Sequence, residues 1–108
     1  MATVRLETSA ISHWDSFHST CRAAFGFPEF YGANMAAWID CLTYLDEDDG
    51  MSRFHLAPGE TLDIQVANTE SLKLRVPEIF DALVDCTASV NQRYLEAGKS
   101  PRLHLVFL

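Results

Sequence analysis

The sequence predicts a small α/β domain in which three to four helices pack on a three-stranded parallel sheet. Three short segments have the composition of strands, and the segments between them show the 3.6-residue periodicity of amphipathic helices. Strands that alternate with helices pair in parallel through right-handed crossovers. Because 108 residues is the length of one ordinary domain, we expect residues 1–108 to form a single unit.

The N-terminal quarter of the chain indicates the first strand and the first helix. Residues 3–7 alternate between polar and apolar side chains, which is the pattern of a half-buried strand. Ser12 followed by Asp15 has the spacing of a helix start, and apolar residues then recur at helical spacing. Gly26 is expected to end this helix, since glycine readily adopts the left-handed backbone of a C-cap.

An aromatic loop and a second helix follow. Residues 27–32 cannot continue the first helix because Pro28 lacks an amide hydrogen, and they carry three aromatic side chains. Asn34 is a favourable N-cap for a second helix. Apolar residues then repeat with helical spacing as far as Leu45, which we take as the extent of this helix.

The next part of the chain predicts a long loop, the second strand and a short helix. Residues 46–60 have no periodicity and contain a run of four acids, which is typical of a solvated loop. Residues 62–67 alternate between apolar and other side chains and are expected to form the second strand. After a turn, residues 71–76 are expected to form a short helix.

The C-terminal part predicts the longest helix and the last strand. Pro77 suits the first turn of a helix, and Gly98 suits its end. The almost continuous apolar run at 102–108 is of the kind that is buried on both faces, so we expect the last strand to be central in the sheet.

The charge balance favours a basic partner. Fifteen acidic and eight basic side chains give a net charge of −7, and four acids are consecutive at 46–49. A negative surface repels phosphates, so we expect no direct binding to nucleic acid. The acidic run fits either a contact surface or a solvated loop, and its composition does not choose between them.

The sequence shows no targeting or membrane segment. Its first residues lack the apolar run of a secretory signal, and no stretch is long enough to span a bilayer, so we expect a cytoplasmic protein without membrane contact. Three widely spaced cysteines, Cys21, Cys41 and Cys86, lie within apolar helical patterns. We expect them to be buried free thiols.

No recognisable motif carries catalysis, a metal or a cofactor. The four histidines lack zinc-type spacing, and C-x-x-C, G-x-G-x-x-G, P-loop and G-x-S-x-G motifs are all missing from the sequence. We therefore expect no metal and no cofactor. His18, beside the apolar Phe17, and His104, in the last strand, are expected to be satisfied structural histidines. An enzyme that uses Cys41 or His18 is the weakest alternative.

The second helix is expected to present one carboxylate to solvent. Successive side chains step around a helix by about 100°, which places Asp40 nearly opposite the apolar sector that contains Trp38 and Cys41. Five side chains share the sector or flank of Asp40, namely Ala36, Ile39, Thr43, Tyr44 and Glu47. An exposed aspartate is ordinarily a plain surface charge, but beside an aromatic loop it also fits an interface.

Residues 27–43, F-P-E-F-Y-G-A-N-M-A-A-W-I-D-C-L-T, resemble the signature of the barstar family. That signature reads as an apolar residue, P-E, two tyrosines, G, any residue, and N-L-D-A-L-W-D-C-L-T. The two share the loop, the Asn cap and the Asp-Cys-Leu-Thr run in unbroken register. The order of elements is similar across the whole chain, and the identities cover about residues 12–43, so the resemblance implies a barstar-like fold.

The resemblance implies an inhibitor or immunity protein rather than an enzyme. Barstar inserts this helix and loop into the active site of a secreted ribonuclease, where its carboxylates take the place of substrate phosphate. By resemblance, Asp40 is the main inhibitory carboxylate. The surrounding partner-binding residues are Phe30, Tyr31, Gly32, Asn34, Ala36, Ile39, Thr43, Tyr44 and Glu47. The implied partner is a basic cytotoxic ribonuclease made by the same cell, and we expect the free inhibitor to be a monomer.

The chain also departs from the family pattern. Ala36 stands where the signature has an aspartate, Ile39 where it has a tryptophan, and Phe30 where it has a tyrosine. The late-helix glutamate of barstar falls near Arg93. The acidic run at 46–49 is a candidate source of the lost charge. An alternative is therefore a barstar-fold immunity protein against another basic toxin, such as a DNase or a deaminase, with the acidic run as its main contact.

Overall fold

A computed structural model describes residues 2–48 and 50–108, and in these residues four α-helices pack on a three-stranded parallel sheet. The strands lie in the order β1-β2-β3 and are β1 (Ala2–Leu6), β2 (Leu62–Val66) and β3 (Leu103–Phe107). The helices are α1 (Trp14–Phe25), α2 (Met35–Leu42), α3 (Thr69–Arg75) and α4 (Pro77–Glu96). The predicted fold class is confirmed.

The hydrophobic core lies between the helices and one face of the sheet. Val4 of β1 and Ile64 of β2 are neighbours in the sheet register and are both buried. Phe17 and Phe25 of α1 and Trp38 of α2 are fully buried against this cluster. Each such side chain stabilises the fold by roughly 1.5–3 kcal/mol relative to its exposed state.

β3 is an edge strand, so the prediction of a central last strand is wrong. β2 lies between the other two strands, and β3 pairs with β2 alone within the described residues. Leu103 is buried, but Phe107 is 51% exposed. His104 is also exposed, with Nδ1 3.4 Å from Oδ1 of Asp63, and is not a buried structural histidine. The apolar run does not reflect burial on two faces, because only one face of the sheet is lined by the core.

The ends of α1 are fixed by local chemistry. His13, not Ser12, is the N-cap: its Nδ1 accepts a hydrogen bond from the Ser16 amide, and the Ser16 hydroxyl accepts one from the His13 amide. This reciprocal pair satisfies two amides that a helix start leaves unpaired. Gly26 ends α1 in the left-handed conformation with φ of 68°, as predicted. β1 begins and ends one residue earlier than expected.

α2 ends at Leu42, three residues before the predicted end. The Tyr94 hydroxyl of α4 donates to the Leu42 carbonyl at 3.1 Å and accepts the Leu45 amide at 2.9 Å. These two bonds satisfy backbone groups that a longer helix would have paired within itself. Leu45 is nevertheless buried, in agreement with its place in the apolar pattern.

The later helices begin and end close to the predicted residues. α3 begins at Thr69, earlier than expected, and includes part of the predicted turn. Pro77 opens α4, and Gly98, with φ of 78°, follows its end. None of the helices that the structure describes has the length and apolar character needed to cross a membrane.

The segment between α2 and β2 is anchored to the fold, which corrects the expectation of a wholly solvated loop. Leu56 is buried, and its amide donates to the Leu45 carbonyl at 2.7 Å. The Ser52 hydroxyl and the Arg53 amide both donate to the Phe25 carbonyl at the end of α1, at 2.6 and 2.9 Å. Asp49 of the acidic run lies outside the described residues.

Candidate functional site

α2 carries Asp40 on its outer side. The Asn34 side chain accepts the Ala37 amide at 2.8 Å and so fixes the start of the helix. The residues that α2 buries on its inner side are Trp38, Cys41 and Leu42. The Asp40 side chain is 56% exposed, on the side that the helical spacing predicted.

The predicted neighbours of Asp40 form a surface of mixed character. Phe30 of the aromatic loop is 76% exposed, and Tyr44 is also exposed. Ile39 and Thr43 are half-buried beside the carboxylate. The remaining exposed members of the predicted set are Gly32, Asn34, Ala36 and Glu47. We call Asp40 and these eight residues, Phe30, Gly32, Asn34, Ala36, Ile39, Thr43, Tyr44 and Glu47, the Asp40 face.

Tyr31 is placed differently from the other predicted contacts. Its hydroxyl shares a 2.6 Å hydrogen bond with Nδ1 of His18, and its ring lies 4.7 Å from that of Phe27. The side chain is half-buried, and it ties the aromatic loop to α1. Tyr31 therefore supports the Asp40 face from behind, which leaves Phe30 as the exposed aromatic of this loop.

His18 is the buried structural histidine that the sequence predicted. Burial lowers its pKa, and the nearby Asp15 carboxylate partly offsets that effect. The Trp14 ring stacks on it at 6.1 Å and is itself partly exposed. The helical spacing groups Trp14 with the apolar residues of α1, but Trp14 is exposed and lines a surface cleft together with His18 and Asn34.

Arg93 of α4 reaches across to α2 and pairs with Asp40. Its Nη1 donates to Oδ1 of Asp40 at 2.8 Å and to the Thr43 hydroxyl at 3.3 Å. The Arg93 side chain is 46% exposed, so the ion pair lies at the surface of the Asp40 face. Sequence reasoning did not find this pair, because 53 residues separate the partners and no local pattern links them.

The described acids of the run differ in their surroundings: one is largely covered and ion-paired, and two are exposed. The Asp46 carboxylate is 13% exposed and lies 2.6 Å from Nζ of Lys99 and 3.7 Å from Nη2 of Arg102. The hydrogen bond from Lys99 lowers the pKa of Asp46. Glu47 and Asp48 are exposed. Asp46 thus has a structural partner, and Glu47 and Asp48 are the described acids of the run that face solvent.

The buried cysteines are in an environment that disfavours thiolate chemistry. Cys41 is buried, and burial raises the pKa of its thiol, with the Asp40 charge acting in the same direction. Burial likewise raises the pKa of Cys21 to about 12. Both are free thiols, as is Cys86, which is half-buried rather than buried. Within the described residues, no group of three or more His, Cys, Asp or Glu side chains is arranged to hold a metal ion.

Comparison with known proteins gives the family. No curated protein matches the chain significantly. The model of the family described as "Barstar (barnase inhibitor)" matches residues 1–106, which is nearly the whole chain. The members of this family are protein inhibitors, and their parallel α/β fold agrees with the structure. The chain therefore belongs to the barstar family.

Proposed function

We propose that this protein binds and blocks the active site of a basic, cytotoxic ribonuclease made by the same cell. The observation that carries the proposal is the exposed Asp40 carboxylate on α2, together with the exposed aromatic side chains of Phe30, in the loop before α2, and Tyr44, four residues after Asp40. The family is described as one of barnase inhibitors, which supports a ribonuclease-type partner.

The physical chemistry of such a partner matches the Asp40 face. A ribonuclease holds a polyanion, so its cleft must be basic, and a chain with a net charge of −7 approaches it with an electrostatic advantage. In the complex, Asp40 takes the place of a substrate phosphate and accepts charge-assisted hydrogen bonds from the cleft. Phe30 and Tyr44 supply apolar contact area around this charged centre.

The test is the inhibition constant of an Asp40→Asn variant. The enzyme is the toxin encoded beside the gene of this protein, with barnase as a second probe. Hydrogen bonds to a charged group contribute about 1.5–3 kcal/mol, so the inhibition constant should rise roughly ten- to hundred-fold.

Asp81→Asn is the matched control, because it removes the same charge from an exposed site on α4. Asp81 lies twelve residues from Arg93, about 18 Å along the helix axis. We expect this variant to inhibit within two-fold of the original protein. Equal inhibition by the two variants would show that Asp40 is not at the centre of the interface.

A second candidate is an immunity protein against a DNase or deaminase toxin. The observation that favours it is the exposure of Glu47 and Asp48, which places two acids where a partner can contact them. In that case a double change of Glu47→Gln and Asp48→Asn weakens binding more than Asp40→Asn does. If the first proposal is correct, the order of the two effects is reversed.

A further inference from the structure

We propose that Arg93 is a specificity-determining residue, which acts as a built-in competitor for the Asp40 carboxylate. It selects against partners whose cleft is lined by cations alone. It favours a partner that carries an acidic side chain beside its phosphate-binding cation. This inference rests on the proposed function, because it concerns what the Asp40 face meets in the complex.

The ion pair between Arg93 and Asp40 lies at the protein surface. Nη1 of Arg93 is 2.8 Å from Oδ1 of Asp40, and about half of each side chain is exposed. Pairs in such surroundings contribute little to folding stability. Arg93 bonds Thr43 as well, so it contacts two residues of the Asp40 face. Its main effect is therefore on the charge that a partner encounters.

Arg93 competes with the cations of a partner for the Asp40 carboxylate. To replace a phosphate, Asp40 must accept hydrogen bonds from cations of the partner. Arg93 already donates to Oδ1, and its positive charge lies beside the carboxylate that an incoming cation must approach. The pair as a whole carries no net charge, so a cleft of cations gains less from Asp40 and is repelled by Arg93.

Arg93 has hydrogen-bond donors that a suitable partner can use. Within the described residues, its hydrogen bonds to Asp40 and Thr43 use Nη1, which leaves the Nε and Nη2 donors for another acceptor. A guanidinium binds a carboxylate through two parallel hydrogen bonds. A nuclease that uses a carboxylate as general base has such a group next to its phosphate site. A cleft that carries both a cation and a carboxylate thus binds Asp40 and Arg93 together.

The experiment measures dissociation constants, by titration calorimetry, for the original protein, Arg93→Gln, Asp40→Asn and the double variant. The probes are the toxin encoded beside the gene of this protein, and a variant of that toxin in which the carboxylate beside the phosphate-binding cations is changed to the amide. Arg93→Gln should weaken binding to the original toxin at least five-fold and should strengthen binding to the amide variant of the toxin at least five-fold. With the amide variant, the improvement should shrink at least three-fold when Asp40→Asn is also present, because the two residues are coupled.

Lys73→Gln is the matched control, since it removes one positive charge from an exposed side chain on α3. It should change both dissociation constants by less than two-fold, which separates the local effect from the effect of net charge. Thermal unfolding should be similar for all variants, because the ion pair is exposed.

Three results would overturn the inference: a toxin cleft without a carboxylate, no gain with the amide variant on Arg93→Gln, or a change of the same sign for both forms of the toxin. Failure of the proposed function gives a different pattern. In that case Asp40→Asn leaves binding unchanged, both with and without the Arg93→Gln change.

Discussion

At the scale of single residues, His18 connects the core to the aromatic loop. It is 5% exposed, it shares a hydrogen bond with Tyr31 of the aromatic loop, and it lies under the Trp14 ring. Burial disfavours the charged imidazolium and lowers the pKa of His18. The histidine is therefore neutral in the folded protein near pH 7, and protonation weakens the fold beneath the loop.

This burial predicts an acid-sensitive stability. The unfolded chain binds a proton at His18 more readily than the folded chain, since the folded pKa is below the ordinary value of about 6.5. The contribution of His18 to stability is complete above about pH 6.5. It decreases as the pH falls through that value, and it becomes constant below the folded pKa.

Urea unfolding between pH 7.5 and pH 5 measures this effect. We expect the pH dependence to become flatter in His18→Gln and to persist in the control His55→Gln, which changes an exposed histidine. An unchanged pH dependence in His18→Gln would assign the acid sensitivity to another group.

Arg102 is the second residue with a clear energetic role. It is 4% exposed, and its Nη1 donates to the Glu60 carbonyl while its guanidinium lies 5.6 Å from the centre of the Tyr94 ring. Its Nη2 is 3.7 Å from Asp46. Through these contacts Arg102, which directly precedes β3, anchors both ends of the segment between α2 and β2.

Removing Arg102 should therefore destabilise the protein. Arg102→Met leaves the Asp46 carboxylate with one fewer cation and the Glu60 carbonyl without the Arg102 donor, so we expect a loss of about 3 kcal/mol. Arg22→Met, which changes an exposed arginine, should stay within about 0.5 kcal/mol. Chemical unfolding of both variants checks this, and equal effects would mean that the buried arginine is not an anchor.

At the scale of elements, the start of α2 determines where Asp40 points. Asn34→Ala removes the hydrogen bond to the Ala37 amide and should cost about 1 kcal/mol. Asn34→Asp keeps the acceptor and should differ from the original protein by a few tenths of a kcal/mol. Hydrogen exchange should become faster in the first turn of α2 for the alanine variant only. Equal exchange in the two variants would mean that the cap does not hold this helix.

The element ends that the sequence predicted well are those set by local backbone chemistry. Gly26 ends α1, Asn34 caps α2 and Pro77 opens α4 because each acts within one turn of its own position. The end of α2 could not be predicted in this way, since Tyr94 fixes it from 52 residues away. The Asp40–Arg93 pair was missed for the same reason.

At the scale of the whole molecule, the sequence predicted that the strands pair in parallel but not which strand is central. The number of strands and their separation by helices follow from periodicity, and they determine the fold class. An apolar run such as that of β3 is, however, compatible with two positions in a sheet. It fits a strand buried on both faces, and it also fits an edge strand that leaves Phe107 exposed. The monomeric state and the single-domain organisation stay predictions.

The central claim is that the Asp40 face occupies the active site of a ribonuclease, and inhibition kinetics test it most directly. RNA cleavage by the neighbouring toxin is measured at several substrate concentrations with fixed amounts of the inhibitor. We predict a higher apparent KM with unchanged kcat, and loss of this effect in Asp40→Asn. A lower kcat at unchanged KM would place the bound inhibitor away from the active site and would contradict the claim.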